Sequence, residues 1–191
     1  LVRVADPLQV ERHAAALGHQ VIAFQRSPAA HLADQHIQSV QGNIAELSDV
    51  TRAAAGCDAV VHTAGKAGIW GAATDYRRVN VEGTANVIRA CREQRIACLV
   101  QTSSPSIVHG GGDIVGADES LPIAAHFNAP YPASKAEAER QVLAANGDGL
   151  RTVALRPHLI WGPGDPHILP RLAARARGGT LALPGPDKLI D

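Results

Sequence analysis

Short β-branched runs alternate with longer amphipathic stretches rich in Ala, Leu and Arg, and this alternation constrains the fold of the chain more than any other feature. Strand-length runs lie at residues 20–24, 37–41, 59–62, 97–102 and 151–156. Helical patterns fall between them. Pro7 suits a first helical turn ahead of the Leu8, Val10 and Leu17 stripe, and further helices are expected over 48–55, 75–94, 132–145 and 167–177. Strands that alternate with helices form parallel sheets, because the crossovers lay helices over both faces. The expectation is a doubly wound α/β domain with a mainly parallel sheet. Gly18, Gly56, Asn146–Gly147 and Gly178–Gly179 stop four of the helices, as residues that tolerate positive φ do. One long irregular segment, 104–131, carries Gly110, Gly111, Gly112 and Pro122, and it is where a substrate is expected to be covered.

Composition removes several classes of function. Eighteen Lys+Arg balance eighteen Asp+Glu over 191 residues, so the cationic excess of a phosphate-binding face is missing and no nucleic-acid partner is expected. Apolar runs such as Ala59–Val60–Val61 fall far short of the ~20 residues that span a bilayer, so no transmembrane segment is expected. The opening Leu1–Val2–Arg3–Val4 lacks the pattern of a secretory signal. Cys57, Cys91 and Cys98 show neither disulfide nor zinc spacing, which points to a reducing cytoplasm. His13, His19, His31 and His36 share no helical ligand spacing, so no metal is expected, and Arg171, Arg175 and Arg177 read as a solvated helix face.

The chemistry concentrates in Tyr131–Pro132–Ala133–Ser134–Lys135. A separation of four puts a phenol and an ammonium on one helical face, where the cation favours the phenolate and draws its pKa toward a range useful for acid–base work. A second feature is Ser103–Ser104 at the end of the 97–102 strand. In open α/β sheets ligands bind beyond the carboxyl ends of strands, so hydroxyls there reach a substrate.

The conjunction of that Ser pair with a long loop and then Tyr-x-x-x-Lys resembles the extended short-chain dehydrogenase/reductase family, across nearly the whole chain. Further likenesses are Val60–Val61–His62–Thr63–Ala64–Gly65, Val79–Asn80–Val81–Glu82–Gly83–Thr84 and the stretch from Leu155 to Asp165. Lys66–Ala67–Gly68–Ile69–Trp70–Gly71 and Pro105–Ser106–Ile107–Val108 are most similar to its 3β-hydroxysteroid dehydrogenase branch. The resemblance implies a Rossmann-like fold, a homodimer and an NAD(P)-dependent oxidoreductase. The substrate it implies is a hydrophobic β-hydroxy/β-keto acid or a sterol-like molecule. Tyr131 would exchange a proton with the substrate oxygen, Lys135 would tune Tyr131 and hold the nicotinamide ribose, and Ser104, or Ser103 beside it, would hydrogen-bond the reacting oxygen. Thr63, Ala64 and Gly65 would border the cofactor, Lys66 would reach a phosphate or a substrate carboxylate, and Pro157, Leu159 and Ile160 would lie against the nicotinamide. Asn80 would brace the sheet through backbone hydrogen bonds.

Departures from the family pattern are as informative. The G-x-x-G-x-x-G loop that lets a backbone approach a pyrophosphate is missing, and Ala5, Asp6 and Pro7 occupy the matching positions. Asn43, followed by Ile44, stands where relatives commonly carry an Asp on the adenine. The reading is therefore a dinucleotide-binding domain over 1–178 with an incomplete first strand, and over 179–191 the start of a truncated substrate-binding portion. NADP(H) is expected over NAD(H), because Arg26 and Ser27 follow a strand end that lacks an acidic side chain and can bind a 2′-phosphate. Two rivals remain: a nucleotide-sugar epimerase or dehydratase, which shares the catalytic trio, and a non-catalytic remnant or binding module.

Overall fold

The structure, a computed structural model, describes residues 7–27, 37–68, 70–110, 114–158 and 168–179. Readings placed on residues 1–6, on Gly111 and Gly112, on Leu159 and Ile160, and on 180–191 lie outside the described residues. Helix α1 (Pro7–Ala16) leads to strand β1 (Ile22–Gln25), and β2 (Gln38–Gln41) leads to α2 (Leu47–Ala54) and β3 (Ala59–His62). A long helix follows, made of α3 (Ala73–Tyr76), a π-helical segment (Arg77–Glu82) and α4 (Gly83–Glu93). Strand β4 (Cys98–Thr102), a 3₁₀ turn (Pro105–Ile107), α5 (Pro130–Ala144), β5 (Arg151–Leu155) and α6 (Ile168–Arg177) complete the order.

The named strands pair only in parallel, as βα alternation dictates. Among the described residues they form two hydrogen-bonded groups, β1–β2 and β3–β4–β5. An apolar cleft of about 150 Å³ separates them, with Ile22 and Phe24 of β1 on one side and Val60 and Val61 of β3 on the other. The run Leu1–Val4, which the sequence places ahead of α1, lies outside the described residues, so the sheet is seen as its two flanks. At the end of β2, Gly42 allows a close approach that no side chain would: a Cβ there would sit 2.5 Å from the Phe24 ring and 2.9 Å from Asp49 Cβ.

Helix faces supply the core. Val50, Ala53 and Ala54 of α2 are buried at i, i+3 and i+4, and Val50 and Ala54 share one core with Val87 and Cys91 of α4, Val142 of α5 and Leu99 of β4. Each large apolar side chain buried this way contributes roughly 1.5–3 kcal/mol. Among the described residues no helix is long and apolar enough to cross a membrane.

The long helix differs from the single α-helix expected over 75–94. Within it the Gly83 N–H bonds to Arg78 O, five residues back. In an unbroken α-helix residues four apart drift round the axis by about 40° per step; the wider π turn takes that drift back. Tyr76, Asn80 and Thr84 all end up buried. Short π segments inside α-helices mark functional positions often, and this one carries Asn80 into the site. Its C-terminus also departs from the glycine stops, ending on Arg95 at φ 57°.

Candidate active site

Lys135 lies in the second turn of α5, which starts at Pro130 rather than Pro132, so Tyr131 belongs to its first turn. The Lys135 side chain is buried and its Nζ donates to Thr102 O at the end of β4, 2.5 Å away. That contact ties the helix to the strand end where Ser103 and Ser104 stand. Burial pushes the ammonium's pKa down to about 8, and the carboxylate of Glu139, one helical turn further, partly restores it. Glu139 is 1% exposed. Arg156, just beyond β5, holds it in a fork, with Nε 3.1 Å and 3.2 Å from the two carboxylate oxygens and Nη2 2.5 Å from Oε1. A buried carboxylate is tolerated because both oxygens are met by the planar guanidinium.

Tyr131 is half-buried, and its ring meets that of Tyr76 edge to face, centroids 6.5 Å apart and planes at 67°. Its backbone carbonyl accepts a 2.7 Å hydrogen bond from Ser134 Oγ, which in turn accepts one from Asn80 Nδ2 at 2.9 Å. Asn80 then grips the segment beyond β3: its Oδ1 accepts from the Lys66 N–H at 2.7 Å and its Nδ2 donates to Lys66 O at 3.0 Å. The expected bracing role is thus extended, since one carboxamide locks the 63–66 segment to the helix bearing Tyr131. A Cβ at Gly65 would make ordinary contacts with Asn80 Oδ1 at 3.4 Å and Lys135 Nζ at 3.8 Å, which places this glycine beside the lysine.

Behind this lock sits His62. The Thr84 hydroxyl donates its single proton to Asn80 O at 2.6 Å, so at 2.9 Å it must accept from His62 Nε2–H. The imidazole is therefore the neutral Nε2–H tautomer. Complete burial, with the Lys135 charge adding to it, pushes the pKa down to about 3.

Both strand-end serines are buried. Ser104 Oγ lies 2.8 Å from Ser106 Oγ and accepts from the Ser106 N–H at 3.3 Å, while Ser103 Oγ has no hydrogen-bond partner among the described residues. When the Ser106 hydroxyl also donates to Ser104, both lone pairs of Ser104 are filled and its own proton is left to point outward. Sequence reasoning did not single out Ser106, His62, Tyr76, Glu139 or Arg156 for a role in the site.

The remaining expected cofactor residues fall into two groups. Thr63, Ala64, Gly65 and Lys66 follow β3 and meet the Tyr131–Lys135 helix through Asn80 and Ser134, and Pro157 follows Arg156. Arg26 and Ser27 are exposed just after β1, where Gln41 Nε2 fastens Arg26 O at 3.1 Å. Asn43 is half-buried after β2, its Oδ1 taken by the Ala45 N–H and its own N–H given to Asp49. That bond and the Arg52 guanidinium hold the Asp49 carboxyl below the usual range. Ile44 ties the segment after β2 to α4, its carbonyl accepting from Asn86 and its side chain packing where Gly83 leaves room. Two observations fit a nicotinamide dinucleotide: the Lys135 ammonium keeps N–H donors beyond its bond to Thr102 O, and a buried Ser103 hydroxyl at the strand end has no partner among the described residues.

Comparison with known proteins places these features in context. Residues 2–187 match the 3-beta hydroxysteroid dehydrogenase/isomerase family. The chain is 52% identical over 171 residues to the 2-alkyl-3-oxoalkanoate reductase of Stenotrophomonas maltophilia, covering 88% of this chain and 52% of that protein. It is 42% identical over 156 residues to the 3-beta-hydroxysteroid dehydrogenase of Mycolicibacterium neoaurum, covering 78% of this chain and 43% of that one. Among solved structures, MoeE5 in complex with UDP-glucuronic acid and NAD superposes with a TM-score of 0.75 at 29% identity, over 91% of this chain and 60% of its own. The chain spans about half the length of the curated relatives it matches.

Proposed function

From the premise that this chain belongs to the 3-beta hydroxysteroid dehydrogenase/isomerase family, we propose that it carries the cofactor-binding and proton-transfer part of an oxidoreductase interconverting a secondary alcohol and a ketone. The observation that carries this reading is the convergence on one point of the Tyr131–Lys135 helix and the β4 end, fastened by the Lys135 bond to Thr102 O. A bound nicotinamide coenzyme supplies hydride chemistry, and the protein supplies position and electrostatics. In reduction Tyr131 Oη–H gives its proton to the ketone oxygen; in oxidation the phenol oxygen takes it back. Ser104 donates to that same oxygen, with Ser106 setting its hydroxyl. With a pKa of about 8, Lys135 is mainly an ammonium at neutral pH, and a cation one turn from the phenol stabilises negative charge there.

Thr63, Ala64, Gly65, Lys135 and Pro157 would hold the nicotinamide and its ribose, and Arg26, Ser27, Asn43 and Ile44 the adenosine end. The proposed coenzyme is NADP(H), since Arg26 is exposed at a strand end that lacks an acidic neighbour. The proposed substrate is a hydrophobic β-keto or β-hydroxy acid, supported by the 52% identity to a 2-alkyl-3-oxoalkanoate reductase. Likeness to a structure holding a UDP-sugar keeps a nucleotide-sugar substrate as the rival. The protein at its full natural length is expected to consume NADPH with a 2-alkyl-3-oxo acid and to show no affinity for UDP-glucuronic acid. Tight UDP-sugar binding without oxo-acid turnover would replace the reading by its rival, and failure to bind any nicotinamide coenzyme would favour a non-catalytic module.

A further inference from the structure

Proton transfer needs the Tyr131 phenol held at a fixed distance and angle from the reacting oxygen, and the residue's own main-chain bonds do not supply that. Its carbonyl is fixed by Ser134 Oγ at 2.7 Å, but the residue stands in the first turn of α5, where its ring can still turn about the side-chain torsions. The aromatic ring it meets among the described residues is that of Tyr76, centroids 6.5 Å apart and planes at 67°. Tyr76 is 0% exposed, whereas Tyr131 is half-buried. The Tyr76 ring is held on several sides. Its hydroxyl is aimed between Gly68 O at 3.0 Å and Trp70 O at 3.1 Å. Lys66 Nζ lies 5.2 Å from the ring centroid, on a residue whose backbone N–H and C=O are both taken by Asn80. Gly71, at φ 146°, leaves space for the ring where a Cβ would come 3.3 Å from Tyr76 Cε2. The Tyr76 main chain joins α3 to the π segment. A ring fastened at tip, face and root cannot swing aside, so the side chain with freedom left in this pair is Tyr131. An edge-to-face pair is strong enough to favour one rotamer about two- to tenfold over its alternatives. A displacement of about 1 Å at a reacting group costs about a hundredfold in rate.

We propose that Tyr76 is a positioning residue for proton transfer, its buried ring holding the Tyr131 phenol in the rotamer that meets the substrate oxygen. This rests on the reading of Tyr131 as the proton donor, and it adds the group that aims the donor. The ring carries the effect, and the Tyr76 hydroxyl serves the turn at 68–71. The long helix thus reaches Tyr131 twice, through Asn80 and Ser134 to its main chain and through Tyr76 to its ring.

The test compares the protein at its full natural length with Tyr76→Leu, which removes the ring, and Tyr76→Phe, which keeps it. Tyr76→Met replaces Tyr76→Leu where that variant does not fold, since an unbranched thioether fills the space without a ring. Two quantities are read. One is kcat for NADPH-dependent reduction of a 2-alkyl-3-oxo acid. The other is the order of the Tyr131 ring, from carbon-13 relaxation of the protein labelled in its tyrosine rings, with the Tyr131 signal identified by its loss in Tyr131→Phe. In Tyr76→Leu kcat should fall about 10- to 100-fold and the ring order should drop, with NADPH affinity within about twofold of wild type. Tyr76→Phe should restore the ring order and most of kcat. Either change without the other in Tyr76→Leu, or neither, overturns the proposal. So does a Tyr76→Phe protein as slow as Tyr76→Leu, which would move the role to the hydroxyl and the turn it fixes. Failure of the donor reading shows separately, as turnover that survives Tyr131→Phe, and the ring order then still decides whether Tyr76 holds the phenol.

Discussion

Replacing Glu139 with Gln tests the buried charge network beneath the site. The carboxylate is 1% exposed and takes three hydrogen bonds from Arg156, whose side chain is 23% exposed. Removing one partner of a buried pair typically costs about 3–5 kcal/mol, because the other charge is left uncompensated. Arg156 keeps some access to water and a Gln keeps one acceptor, so the loss belongs at about 3 kcal/mol. With a urea m-value of about 2–3 kcal/mol/M, the unfolding midpoint should fall by about 1–1.5 M at unchanged m. A second readout follows from Lys135. Its folded pKa lies near 8, below the unfolded 10.5, so the unfolded state binds more protons between those values and stability from this group rises with pH across that window. In activity the sign is the reverse: reduction should fall as pH rises through about 8, when the ammonium that supports the phenol is lost. Glu139 holds the Lys135 pKa up, so Glu139→Gln should move that limb to lower pH. A midpoint shift under about 0.3 M, together with an unmoved limb, would refute the coupling of Glu139 to both Arg156 and Lys135.

Protonating His62 should destabilise the fold. Its folded pKa of about 3 lies below the ordinary 6.5, so the stability it carries is complete above 6.5 and is lost as pH falls toward 3; His62→Gln should lose less over that range, by on the order of 4 kcal/mol, read by denaturant unfolding at pH 7 and pH 4. Ser104→Ala should lower kcat about 10²-fold with little change in coenzyme affinity, and Ser103→Ala should do much less; steady-state kinetics that reverse this order would move the substrate hydrogen bond to Ser103. Arg26→Ala should weaken NADPH binding about 10- to 100-fold and leave NADH nearly unchanged, whereas equal losses in calorimetry would show that Arg26 does not meet a 2′-phosphate.

Most of the element order was legible because hydrophobic period reports burial directly. Strand β3 falls on its expected bounds at Ala59–His62, and the other described strands begin or end within two residues of expectation. For β1 the shift from 20–24 to Ile22–Gln25 follows the ladder, where Ile22 pairs with Gln38, rather than the side-chain pattern. Tyr131 and Lys135 were legible for a related reason: spacing by four fixes a common helical face. The π segment was not, since a change of hydrogen-bond register leaves no trace in the composition of Arg77–Glu82. Nor was the Glu139–Arg156 fork, which joins residues 17 apart in sequence, one in α5 and the other just beyond β5. The lock from Asn80 to Lys66 and Ser134 was hidden with the π segment, because Asn80 lies inside it.

The most direct test of the account is NADPH-dependent reduction of a 2-alkyl-3-oxo acid by the Tyr131→Phe protein at its full natural length, with NADPH affinity measured alongside. The account predicts a loss of kcat of about 10²–10⁴-fold, the usual worth of a positioned proton donor, with coenzyme affinity within about twofold of wild type because the Phe ring still packs against Tyr76. Turnover at the wild-type rate in Tyr131→Phe would contradict it and take the proton from another group.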